Sequence, residues 1–163
     1  MFWPLLVVAF TADCATKRWA EASLPERVSL RVLGNFLRLT LAHNPGAAMG
    51  MSVGSYSRLV FSFLALLGIF ITSSMYRSSP TGARLRAAAL ALITGGAAGN
   101  LLSRFITPSG VTDFIDIGTG SWRFWTFNIA DSCISIGAVL VLFSLMREHP
   151  SPAADLAVTP DSR

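Results

Sequence analysis

The chain has 163 residues, of which 52% are hydrophobic and only 13% charged. Soluble domains carry about 25% charged residues, so the deficit excludes an ordinary water-soluble globule and points to one compact integral membrane unit. The formal charge of +4 comes with arginines clustered at the ends of apolar runs, which suits anchoring to anionic head groups; no RNA- or DNA-binding motif accompanies it, and nucleic acid is not expected as a partner.

The first apolar segment covers about residues 2–20 and includes VVAFTADCATK at 7–17. A cysteine after small residues can mark the end of a lipoprotein signal sequence. Here Asp13 stands where a small residue is needed, and no Lys or Arg precedes the run, so a spanning helix is expected instead. Asp13 and Lys17 are four residues apart, on one helical face and able to pair. An ionisable group in a spanning helix is costly unless paired or wet, which makes each a functional candidate.

Residues 21–58 form a long connection. Within it, LPERVSLRVLGN reads as an interfacial helix with its arginines at the head groups. FLRLTLA (36–42) alternates apolar and polar side chains and reads as a half-buried strand, followed by a turn at NPGAAMG. The second span, about 59–75, contains no charge, and the polar turn YRSSPTGAR leads to the third, about 85–104. That segment is rich in Ala and Gly. Gly96, Asn100 and Arg104 recur on one stripe, and Gly95 and Gly99 make a close-packing GxxxG on the next.

The following connection, TPSGVTDFIDIGTGSWRFWT, holds Asp113 and Asp116, with Trp122 and Trp125 suited to a membrane interface. The fourth span covers about 127–146, with Asn128, Asp131 and Ser135 on one face and Thr126 or Asn128 able to cap its start. The polar, proline-rich segment 148–163 is expected to be a disordered tail. Cys14 and Cys133 show no metal-binding spacing and read as small apolar side chains. Four spans put both termini on one side with the 77–86 turn, whose shortness favours the cytoplasm.

By this connectivity Asp13, Lys17, Asn100, Arg104, Asp113, Asn128 and Asp131 all lie toward one membrane surface, the one carrying the 21–58 insert. Two carboxylates brought close cannot both ionise comfortably, so one keeps a proton while the other stays charged. The charged one can take a proton from a water attacking an amide, and the protonated one can polarise the carbonyl. The same aspartates also fit a structural role, or a non-enzymatic small membrane carrier or assembly factor. Asp116 reads as a solvated or capping carboxylate.

Five motifs then become specific together. They are Asp13-Cys-Ala-Thr-Lys17, Asn44-Pro-Gly-Ala-Ala, Gly95-Gly-Ala-Ala-Gly-Asn100-Leu-Leu-Ser-Arg104, Val111-Thr-Asp113-Phe and Phe127-Asn-Ile-Ala-Asp131. In this order and spacing the chain resembles the lipoprotein signal peptidases (signal peptidase II), the aspartyl membrane proteases of bacteria. The resemblance implies an all-α membrane protein of four transmembrane helices with a small periplasmic β-cradle and interfacial helix, residues 1–147 forming the peptidase domain. It implies an inner-membrane endopeptidase that cuts prolipoproteins just before a diacylglyceryl-modified cysteine, with cytoplasmic termini and a site near the periplasmic leaflet. The catalytic dyad would be Asp113 and Asp131. Asp13, Lys17, Asn44, Gly96, Asn100, Arg104, Asn128 and Ala130 would line or support the pocket. No metal or organic cofactor is implied, membrane lipid is an expected partner, and the chain is expected to act as a monomer. Ser103, Met49 and Cys14 depart from the commonest family residues, which bears on substrate range rather than on the reaction.

Overall fold

In the computed structural model the described residues are 1–26, 28–45 and 54–148. The elements run α1 (Phe2–Ser23), β1 (Ser29–Leu33), β2 (Leu37–Asn44), a short 3-10 turn (Gly54–Tyr56), α2 (Ser57–Arg77), α3 (Arg84–Ile106), β3 (Val111–Thr119), β4 (Trp122–Arg123) and α4 (Ile129–Glu148). α1 stops at Leu24, which is extended because Pro25 follows and a residue before proline is pushed out of the helical region.

Three helical stretches, Gly54–Arg77, Arg84–Ile106 and Ile129–Arg147, are long and apolar enough to cross a membrane. α1 has a comparable length, 22 residues or about 33 Å, but carries Asp13, Lys17, Arg18 and Glu21. α3 is the central helix and packs against all three others. Its small side chains explain why: 56% of its apolar stretch is buried, against 6% for the α2 stretch and 17% for the α4 stretch. Close approach to α4 is made at Gly96, where an added Cβ would run into the Ala130 carbonyl. On the other side, a Cβ at Gly99 would collide with the Asp13 carboxylate of α1. The GxxxG stripe of Gly95 and Gly99 therefore faces α1.

Apolar clusters close the bundle at both ends. Phe2, Leu90 and Ala91 pack at one end, where Phe2 stacks on Tyr76 with ring centroids 3.9 Å apart. At the other end Ala20 and Leu24 of α1 pack on Leu41 of β2 and Phe114 of β3. That second cluster seats an open antiparallel sheet, ordered β1-β2-β3-β4, on the C-terminal end of α1.

β2 forms where the alternation predicts a strand. The stretch expected as an interfacial helix is instead strand β1, paired with β2 through Ser29↔Thr40 and Arg31↔Arg38. The physical reason is legible in retrospect. Pro25 blocks helix continuation, and Val28, Leu30 and Val32 alternate with Ser29 and Arg31 at a period of two. The turn expected at NPGAAMG falls largely, and the tail expected to be disordered almost wholly, outside the described residues.

Candidate active site

β3 carries Asp113 into the bundle. Gly110, at φ +104°, turns the chain so tightly that a Cβ there would strike the Asn44 carbonyl, which sets β3 beside β2. The β2–β3 ladder is irregular beside Asp113: Leu39 pairs with Ile115 and Ala42 with Asp113, so β2 fits one extra residue between the two pairs. The start of α4 is tied to the same strand. Phe127 accepts the Ile115 N–H at 2.8 Å and donates to the Ile115 carbonyl at 3.0 Å.

Asn128 is the N-cap of α4, and Asp131 stands three residues on. Asn128 Oδ1 accepts the Asp131 N–H at 3.0 Å, and Asp131 Oδ2 accepts the Asn128 N–H at 3.2 Å. This reciprocal pair is a capping box, satisfying two amides that the helix start would leave open. The next open amide, Ala130 N–H, donates to Asp13 Oδ1 at 2.9 Å. Asn128 is wholly buried, and its Nδ2 donates to Asp113 Oδ1 at 2.7 Å and Asn100 Oδ1 at 3.2 Å.

Behind the carboxylates lies a charged support. Lys17 Nζ donates to Asp13 Oδ2 at 2.7 Å and to Asn100 Oδ1 at 2.8 Å, with both charged residues buried. Asn100 passes the contact on, its Nδ2 donating to Asp131 Oδ1 at 2.8 Å. Asn44 Nδ2 reaches Asp113 Oδ2 at 3.4 Å. Arg104 Nη1 donates to the Asn100 carbonyl at 3.2 Å, its guanidinium lies 5.8 Å from the Phe61 ring centroid, and its buried Nε has no partner among the described residues.

These groups surround a cleft of about 790 Å³. Asp113, Asp131, Asn44, Asn100 and Arg104 reach it, together with Ser132 and Ser135 of α4 and an apolar wall including Phe124, Trp125 and Ile134. Burial, reinforced by the charge of Asp131, pushes the Asp113 carboxyl up to about 7, against hydrogen bonds from Asn128 and Asn44 that pull it down. Asp113 therefore holds a proton in the pH range where an ordinary carboxyl has lost it. One carboxyl able to donate, beside a second that accepts hydrogen bonds from the Asn100 side chain and the Asn128 N–H, is the equipment of general acid–base hydrolysis.

All ten residues singled out in the sequence fall in or directly under this cleft. Gly96 and Ala130 serve as the α3–α4 contact rather than as cleft walls. Asp116 departs from expectation. It is 6% exposed rather than solvated, with Arg123 Nε at 2.6 Å from its Oδ1, because β3 is buried on both faces. Cys14 and Cys133 are half-buried free thiols. Sequence reasoning missed Thr112, 1% exposed on β3, whose hydroxyl donates to Glu21 Oε1 at 2.5 Å. The signal was available: Glu21 continues the every-fourth-residue series of Asp13 and Lys17.

Residues 5–147 match the family model of signal peptidase (SPase) II. A lipoprotein signal peptidase of Hydrogenovibrio crunogenus is 39% identical over 142 residues, covering 86% of this chain and 81% of the relative. One from Yersinia pseudotuberculosis is also 39% identical over 142 residues, covering 85% and 82%. Two solved structures, each described as a bacterial membrane enzyme obtained by the in meso method, superpose on the fold. The first has a TM-score of 0.78 at 25% identity over 99% of this chain and 93% of the other. The second has a TM-score of 0.79 at 27% identity, covering 91% and 94%. Sequence and fold thus match those of a known group along nearly the whole chain, and the protein belongs to the signal peptidase II family of membrane-embedded aspartic endopeptidases.

Proposed function

We propose that this chain removes the signal peptide from diacylglyceryl-modified prolipoproteins, cutting just before the lipidated cysteine, with Asp113 and Asp131 as its catalytic pair. In this reading the peptidase unit is residues 1–147, the termini are cytoplasmic, and the cleft opens toward the periplasmic leaflet of the inner membrane. The observation that carries it is the shared partner. Asn128 holds Asp113 through its amide nitrogen and the Asp131 backbone through its amide oxygen, so the two aspartates meet on one side chain.

Asp131, fed hydrogen bonds by Asn100 and by the Asn128 N–H, takes a proton from water as the oxygen attacks the scissile carbonyl carbon. Asp113, protonated, hydrogen-bonds to the carbonyl oxygen as it gains charge. The tetrahedral intermediate collapses with expulsion of the amine, which receives a proton from the pair. Arg104 and the Ser132–Ser135 edge of α4 are placed to hold the peptide, while the exposed Trp122 and Trp125 suit contact with the lipid interface that also supplies the acyl chains.

The test is a gel assay with purified protein in lipid and a diacylglyceryl-modified prolipoprotein. Wild type should release the signal peptide. Asp113→Asn and Asp131→Asn should be at least about 100-fold slower while still melting cooperatively. Full activity in either variant sinks the pair, and equal cleavage of an unlipidated precursor sinks the substrate requirement.

A further inference from the structure

Asp13, Lys17 and Glu21 follow one another at four-residue intervals on α1, and each reaches a different part of the site. Asp13 accepts the Ala130 N–H of α4, Lys17 donates to Asn100 of α3, and Glu21 accepts the Thr112 hydroxyl of β3. The first two contacts sit behind Asp131. The third sits behind Asp113, because Thr112 and Asp113 are adjacent on the strand and point to opposite faces of it.

We infer that Glu21 is a positioning residue for Asp113, holding the strand that carries this aspartate through its hydrogen bond to Thr112. The inference rests on the assignment of Asp113 to the catalytic pair. Three observations support it. Thr112 is almost wholly buried, so its hydroxyl needs a protein partner, and Glu21 supplies it. Thr112 pairs with His43 and Asp113 with Ala42 on β2, but the register shifts directly beyond Asp113, between Leu39 and Ala42, so alignment along the rest of the strand is not passed on unbroken to this point. Beyond Asp113 the strand is held by Phe127, and on the Thr112 side the Glu21 hydrogen bond ties it to α1 in addition to its pairs with β2. Glu21 is exposed at the end of α1, so its removal disturbs a lever on the strand rather than the core.

The contact needs an acceptor on residue 21 and a donor on residue 112, and no charge. Glu21→Gln and Thr112→Ser keep those groups; Glu21→Met and Thr112→Val do not. Initial rates of signal-peptide release from a diacylglyceryl-modified prolipoprotein in lipid separate kcat from KM. Glu21→Met and Thr112→Val should each lower kcat about 10-fold with KM unchanged, as expected for a misaimed reacting group. Glu21→Gln and Thr112→Ser should stay near wild type, and the Glu21→Met/Thr112→Val double variant should be no slower than either single one. Wild-type kcat in Glu21→Met, an equal loss in Glu21→Gln, a change confined to KM, or multiplying losses in the double variant would each overturn the inference. Asp113→Asn, assayed alongside, separates the levels. If it is inactive while Glu21→Met is fully active, only the positioning role falls. If it is active, the catalytic pair falls and the positioning role with it.

Discussion

Asn128 donates to Asp113 across 2.7 Å from the position that caps α4. One buried amide thus does two things: it starts a helix and it steadies a carboxyl. Asn128→Ala should lose both. The missing cap should cost about 1 kcal/mol of stability, read as a lower melting temperature in detergent. Because the lost hydrogen bond favours the ionised form of Asp113, its removal should also move the alkaline limb of the pH–rate profile upward. A downward move would contradict this account.

The pH dependence has a definite sign. Asp113 is raised from 3.8 to about 7, chiefly by burial and next by the charge of Asp131, so in the proposed catalytic pair it has a proton to give only below that value. Activity should therefore fall as pH rises through about 7. The stabilisation linked to the bound proton is complete below pH 3.8 and is lost as pH rises to about 7. Infrared difference spectra should show a protonated carboxyl that titrates near this point, is absent in Asp113→Asn, and titrates lower in Asp131→Asn. Because the two aspartates interact, the wild-type signal belongs to the pair.

Lys17 and Asp13 form a buried ion pair, and breaking it from one side should be expensive. Lys17→Met leaves the Asp13 carboxylate without its cation and should cost about 3–5 kcal/mol. Asp13→Asn added to Lys17→Met should recover much of that loss, since Asn can still accept the Ala130 N–H. Thermal melts of the four proteins in this cycle would measure the coupling, and simple additivity would refute it.

Helix–helix approach should be sensitive at α3 and indifferent at α2. Gly99→Ala drives a methyl group into the Asp13 carboxylate, and Gly96→Ala drives one into the Ala130 carbonyl. Each should destabilise by about 1–3 kcal/mol. Gly68→Ala meets no atom within 4 Å and should leave the melting temperature unchanged or raise it. Equal effects at all three positions would show that the close contacts do not matter.

The parts that were legible in the sequence share a physical basis. Polar groups inside apolar runs stand out, and a four-residue spacing assigns them a face, so the Asp13–Lys17 pair and the Asn100–Arg104 stripe could be read directly. Asn128 at a helix start, with Asp131 three residues later, is a capping signature that needs no tertiary information. The strands were harder. β2 alternates in sequence, with Leu39 and Leu41 packed on the cluster at the end of α1, whereas β3 is buried on both faces near Asp113 and shows no alternation to read. β1 was mistaken for a helix because its arginines suit a head-group surface in either conformation. Asp116 was misjudged for a related reason: its partner Arg123 lies across a strand turn, where spacing along the chain says little.

The three contacts made by α1 also limit how the gene for this protein can change length. Adding one residue to a helix turns everything beyond it by about 100°, and removing one turns it back by as much. An insertion between Asp13 and Lys17, or between Lys17 and Glu21, would swing part of the series away from its partners on α4, α3 or β3. No shift of neighbouring side chains can follow a rotation of that size. The interval from Asp13 to Glu21 should therefore tolerate substitution far better than a change in residue number. The largely uncovered outer face of α2 has no such register to keep.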